Sequence, residues 1–167
     1  MENKTMTAPV ATVMTANDFL EQWQGHRRLT RKTIEAFPEK EFFSFSVGGM
    51  RPFAELVNEM MEMAGPGIYG IVTNEWKTFG ELGMHSKGKT KEEVLKQWDE
   101  ITRQINDLWG QIPEGRFQEV QLAFGQYENP GFKTILYFID NEIHHRGQGF
   151  VYLRALGIQP PMFWDRS

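Results

Sequence analysis

The chain has no cysteine among its 167 residues. That excludes disulfides, thiolate metal ligands and a cysteine nucleophile, and it fits a cytoplasmic setting. Long hydrophobic runs are missing too: no stretch approaches the roughly 20 apolar residues needed to span a bilayer. Positive charge is not in excess. Lys and Arg number 18 against 22 Asp and Glu, a net charge of -4, so the charge balance gives no reason to bind nucleic acid or an anionic membrane. Residues Met1 to Thr15 lack a basic stretch followed by an apolar block, so no signal peptide is expected there. Neither an internal repeat nor a low-complexity tract is visible.

What is present is ordinary for a globular protein: 40% apolar and 24% charged residues in a length typical of one domain. The small and polar residues Thr5, Thr7, Ala8, Pro9, Ala11 and Thr12 predict a flexible arm over residues 1–14. Residues 15–167 are expected to form a single domain.

Periodicity predicts four helices. The first opens on Thr15-Ala16-Asn17-Asp18, carries Phe19, Leu20, Trp23, Leu29, Ile34 and Phe37, and stops at Pro38. Glu39 to Gly49 reads as a connection. The second starts near Arg51-Pro52 and repeats Phe53, Leu56, Val57, Met60, Met61 and Ala64 at helical spacing. Gly65-Pro66-Gly67 is expected to interrupt or kink it, with Ile68 to Trp76 continuing in a new direction. After a Gly-rich loop, Thr90 and Glu93 have the spacing of a capping box. The third helix follows, with Val94, Leu95, Trp98, Ile101, Ile105, Leu108 and Trp109 as its stripe. Val120 to Phe124 reads as a short extended segment. Asn129-Pro130 places a capping residue before a first-turn proline, and a fourth helix runs to about Leu156, ended by Gly157. The pattern implies an all-α four-helix bundle. Its connections exceed tight-loop length, so long crossover connections are expected.

The fourth helix holds the chemistry. It is apolar on more than one face, as in a helix that is central or buried on a second side by a partner chain, yet it contains Asp140, Asn141, Glu142, His144, His145, Arg146 and Gln148. Asn141 and His145 are spaced i, i+4 and share a face, the way a helix offers two ligands to one ion. Gly147 costs about 1 kcal/mol against alanine inside a helix, which suggests a close approach of another helix.

The block NEIHHRGQGFVYLRALGIQPP, from Asn141 to Pro161, and the upstream MRPFAELVNEM, from Met50 to Met60, resemble the DinB-like (damage-inducible) metal-dependent proteins. That family includes the YfiT-like and mycothiol-dependent transferase group. The resemblance implies a DinB-like four-helix bundle, usually a homodimer, with a metal held by three histidines. Matched by position, those ligands fall on Glu59, Asn141 and His145, and only His145 keeps the family's residue. The cofactor implied is a divalent metal, Zn²⁺, Ni²⁺ or Mn²⁺, at a substituted Glu/Asn/His site.

Bland readings stand beside these. Glu55, Glu59 and Glu62 form a helical acidic stripe that would ordinarily be solvated. Asn141 and His145 can satisfy each other or a neighbouring helix. His144, about 100° round from His145, reads as an outer-face or interface residue. Arg146 is spaced to pair with Glu142, Asp140 to hold a neighbouring group or simply face solvent, and His26 to reach the interior from the first helix. His85 lies in the Gly-rich loop, where solvent exposure is expected. Trp and Met residues read as packing. Two functions remain open at this level. One is a metal-dependent, thiol-using transferase or hydrolase. The other is a non-catalytic dimeric bundle that binds a small molecule.

Overall fold

The computed structural model describes residues 12–84 and 88–167. The expected arm falls outside those residues except for 12–14, and so does His85. Five helices and one hairpin follow in order: α1 (Ala16–Ala36), α2 (Glu39–Ser44), α3 (Phe53–Thr73), α4 (Lys91–Trp109), β1 (Val120–Ala123), β2 (Tyr127–Pro130) and α5 (Gly131–Ala155). α1, α3, α4 and α5 form an all-α bundle. Among the described residues, no helix is long and apolar enough to cross a membrane.

The local signals act as the sequence predicts at most helix ends. Thr15 with Asp18 and Thr90 with Glu93 both close capping boxes, satisfying N–H groups that the first turn leaves free. α5 ends in a Schellman turn. Gly157 sits at φ 76, its N–H donates to Arg154 O, and Ile158 N–H donates to Leu153 O at 2.8 Å.

Three local expectations are corrected and one is extended. Residues 39–44 are helical rather than plain connection. Phe42 there is fully buried against Phe37 and Phe53, so tertiary packing orders a segment too short to be stable alone. α3 runs through Pro66 to Thr73 as one helix. The expected extended segment is present as β1 and forms one half of an antiparallel hairpin, with Val120 opposite Pro130 and Ala123 opposite Tyr127. Asn129 belongs to β2 and does not cap α5, whose N-cap is Pro130.

α3 packs against α4 and α5, and α1 packs against the same two. α1 and α3 are therefore diagonal, as are α4 and α5. The chain crosses the bundle twice, through α2 and through the hairpin, which is what its long connections provide. α3 and α5 run antiparallel: Phe53 lies against Gly149 near one end, and Gly67 against Phe138 near the other. A Cβ on Gly67 would sit 2.4 Å from the Phe138 ring, and one on Gly149 2.4 Å from the Phe53 ring. Both glycines are needed for this close approach. The close approach expected at Gly147 is found at Gly149 instead, since nothing in the chain lies within 4 Å of a Cβ on Gly147.

The core is rich in large side chains. Trp23, Trp98, Phe37, Phe42, Phe53, Leu29 and Ile34 are all fully buried, and the Phe37 and Phe53 rings stack at 4.7 Å. α4 contributes Val94, Trp98, Ile101, Ile105 and Trp109 from one stripe.

Candidate functional site

Antiparallel α3 and α5 bring Glu59, Asn141 and His145 together. His145 Nε2 lies 2.9 Å from Glu59 Oε1, and Asn141 Nδ2 donates to the same oxygen at 3.1 Å. Glu59 lies in the second turn of α3, and the other two share one face of α5 at the expected spacing. All three sit at the groove between the helices. His145 is buried, and Glu59 keeps about a third of its side chain exposed, at 32%.

Two further residues complete the cluster. Arg51 pairs through its guanidinium with Glu59 Oε2. Its place is fixed from α5, because the buried Tyr152 hydroxyl donates to Arg51 O at 2.9 Å. Gln148 Oε1 lies 3.0 Å from His145 Nδ1, one turn on. Burial opposes ionisation of Glu59, but the hydrogen bonds from His145, Arg51 and Asn141 outweigh it and hold the carboxyl at about 2. Glu59 is thus a carboxylate at neutral pH with both oxygens engaged.

Arg51 and Gln148 are not among the ligand positions expected from the sequence. Gln148 carried a signal, being i+3 from His145 and able to orient its ring. Arg51 carried none, because it lies outside α3 and is brought to Glu59 by the turn at Pro52 and the Tyr152 tether.

The donor set fits a divalent ion poorly. Glu59 is neutralised by Arg51, a fixed positive charge where an ion would add two more. The ionised Glu59 also makes Asn141 present its amide N–H, which cannot ligate, and turns Oδ1 away from the shared point. No group of three His, Cys, Asp or Glu residues able to hold a metal occurs among the described residues. One feature runs the other way: Asn141 Oδ1 is buried without a hydrogen-bond partner. Such an atom ordinarily has a water or a ligand on it.

The remaining polar residues of α5 separate into inner and outer sets. Glu142 and Arg146 are buried. Glu142 accepts a hydrogen bond from Thr30 at 2.6 Å, pairs with Arg27 Nη1 at 3.6 Å and lies 3.8 Å from Arg146 Nη1. Arg27 also stacks on Trp98 at 3.3 Å and donates to Trp98 O. His26 is buried too, with Nδ1 3.0 Å from Arg146 Nη2. It belongs to this network and makes no contact with Glu59. Burial first, then Arg146 and Arg166, lower its pKa to about 4. His144, Asp140 and Arg154 are exposed. His144 packs its ring beside His145 at 5.1 Å.

The comparisons with known proteins agree on family and fold. The DinB family model matches residues 1–166. A DinB-like protein from Bacillus subtilis superposes with a TM-score of 0.73 at 16% identity, covering 90% of this chain and 100% of that one. A DinB-like protein from Bacillus cereus gives 0.71 at 14% identity, covering 89% of this chain and 97% of that one. No curated protein shows significant similarity to the chain.

Proposed function

The chain belongs to the DinB family, and on that premise we propose that it is a dimeric, small-molecule-binding bundle whose ancestral metal site is degenerate. The observation that carries this reading is the closure of Glu59. Both of its oxygens are taken, one by His145 and Asn141 and the other by Arg51. In this reading the guanidinium supplies the positive charge that a metal supplies in a three-histidine site, and the cluster ties α3 to α5. No Lewis-acid step follows from it.

The dimer half of the proposal draws on the outer face of α5. Ile143 and Val151 are exposed there, at 39% and 54%, on either side of the open Gly147. Large apolar side chains flanking a residue without a side chain suit the crossing of a second helix. A cytoplasmic setting is part of the same reading.

A second reading rests on the unpartnered Asn141 Oδ1. In it, Glu59, Asn141 and His145 hold Zn²⁺, Ni²⁺ or Mn²⁺ weakly, with Gln148 orienting His145, in an altered metal-dependent enzyme. Metal analysis of the purified protein, followed by calorimetric titration with each ion, separates the two. The degenerate-site reading expects no stoichiometric metal and no saturable binding. One tightly held ion per chain, lost in His145→Ala, would establish the second reading. Light scattering tests the dimer. A monomer at micromolar concentration sinks that half, and Val151→Arg is expected to dissociate a dimer.

A further inference from the structure

A cavity of about 500 Å³ lies beside the cluster, between the hairpin, α3 and α5. It has the size of a small-ligand site. Met63 of α3, Phe124 and Tyr127 of the hairpin, and Tyr137 and Phe138 of α5 form its walls. Glu59, Asn141 and His145 are not among its lining residues, although Asp140, which is, directly precedes Asn141.

The wall at Phe124 is held in a costly conformation. Phe124 and Gly125 have φ 52 and 68, and Gln126 N–H donates to Ala123 O, so the hairpin turns through two left-handed residues. Asn or Gly normally fills the first of these positions. A bulky aromatic residue with positive φ is an outlier that persists where the surroundings require it. Here the backbone places the Phe124 ring edge-on to Trp76 at 5.1 Å and against the cavity.

The polar lining converges at one end. Thr134 is 5% exposed, lines the cavity, and has a buried hydroxyl with no hydrogen-bond partner. A buried hydroxyl in that condition costs free energy until something meets it. Its neighbour Lys133 lines the same cavity, is exposed, and makes no ion pair among the described residues. Both lie in the opening turns of α5, whose N-terminal dipole favours negative charge. The acidic lining residue, Asp140, is seven residues from Lys133, about 10 Å along the helix axis. An anion at Lys133 is largely screened from it at that distance.

We propose that this cavity binds a small aromatic acid, its ring system between Met63, Phe124, Tyr137 and Phe138 and its anionic group on the Thr134 hydroxyl and Lys133 ammonium. The proposal rests on the small-molecule part of the function above and is independent of metal and of dimer formation.

Two fluorescent probes with the same kind of ring system test it: 8-anilinonaphthalene-1-sulfonate, and N-phenyl-1-naphthylamine, which has no sulfonate. Titrated into the whole protein, the sulfonate probe is expected to saturate at one site per chain. It should bind about fivefold more tightly than the neutral probe, the upper range for an exposed ion pair. Lys133→Met should erase that preference and leave the neutral probe unchanged. Thr134→Val should weaken the sulfonate probe several-fold, and Met63→Trp should block both probes by filling the cavity. His145→Ala should change neither. Unsaturable binding, equal affinity for the two probes in the unmodified protein, or indifference to Lys133→Met and Thr134→Val overturns the proposal. Loss of binding in His145→Ala does so too, by placing the probe at the Glu59 cluster. If Met63→Trp does not fold, the Lys133 and Thr134 variants carry the decision. Failure here leaves metal content and oligomeric state, which test the function proposed above, to be read separately.

Discussion

Glu59 and His145 meet at 2.9 Å across the α3–α5 groove, 86 residues apart in sequence. Arg51 on the other carboxylate oxygen makes the contact part of a closed charge arrangement. Replacing Arg51 with Met is expected to raise the Glu59 pKa from about 2 toward the ordinary range, as followed by carboxyl carbon NMR. The sign is that of a depressed carboxylate. Its stabilisation is complete above the unfolded value of 4.5 and is lost as pH falls to about 2. In Arg51→Met that loss should be smaller and should be complete at a higher pH. The same variant should also gain affinity for Zn²⁺ or Mn²⁺, because the competing charge is gone. A carboxyl titration unmoved by the substitution would show that Arg51 does not act on Glu59 in solution.

Among the described residues, Glu142 is the one carboxylate that an ion pair places against both Arg27 and Arg146. Glu142→Ala strands two buried guanidinium groups, and the expected loss is about 3–5 kcal/mol, measured by urea denaturation. Glu142→Gln retains an acceptor for the Thr30 hydroxyl and should lose less. Equal losses in the two variants would mean that the acceptor for Thr30 contributes nothing and that Glu142 acts through its charge alone.

His26 predicts a pH dependence of its own. Burial and the nearby arginines hold the folded protein's imidazole at about 4, below the 6.5 of the unfolded chain. The unfolded state therefore takes up more protons between those values. Stability should be full above 6.5 and fall as pH drops toward 4. In His26→Gln that part of the stability–pH curve should flatten. A curve of unchanged shape would count against a buried neutral His26.

Three glycine substitutions read packing on opposite faces of α3 and α5. Gly149→Ala and Gly67→Ala force a Cβ into the Phe53 and Phe138 rings, and each is expected to cost about 1–3 kcal/mol. Gly147→Ala meets no atom of its own chain and should stabilise an isolated bundle by about 1 kcal/mol through helix propensity. If a second helix crosses at Gly147, the same change instead weakens the dimer. Thermal melts at two protein concentrations distinguish these outcomes.

The sequence is legible where local chemistry decides. Thr15 and Thr90 mark helix starts because their side chains cap within three residues. Asn141 and His145 share a face because the helix period puts them there. The meeting of Glu59 with them is not legible from spacing, which reads Glu55, Glu59 and Glu62 as a solvated stripe; only the resemblance to a family places Glu59 opposite α5. The features that escaped depend on distant partners. α2 is ordered by Phe42 packing on Phe37 and Phe53. The hairpin turns on Phe124-Gly125, where an Asn-Gly pair would have announced it. α3 continues through Pro66, with Gly67 facing Phe138 of α5 and Gly65 facing Gln104 of α4. Arg51 reaches Glu59 through a tyrosine a hundred residues away.

The pairing of Thr30 and Arg27 with Glu142 also bears on the order of folding. α1 carries a cation that a dry interior rejects, and the carboxylate that neutralises it arrives 112 residues after Thr30. α1 therefore cannot desolvate its inner face ahead of α5. The two helices are expected to dock in one cooperative step, after the intervening chain has closed a long loop. Nucleation is then expected in the more local α3–α4 pair, so destabilising substitutions there should slow folding, while Glu142→Gln should mainly speed unfolding.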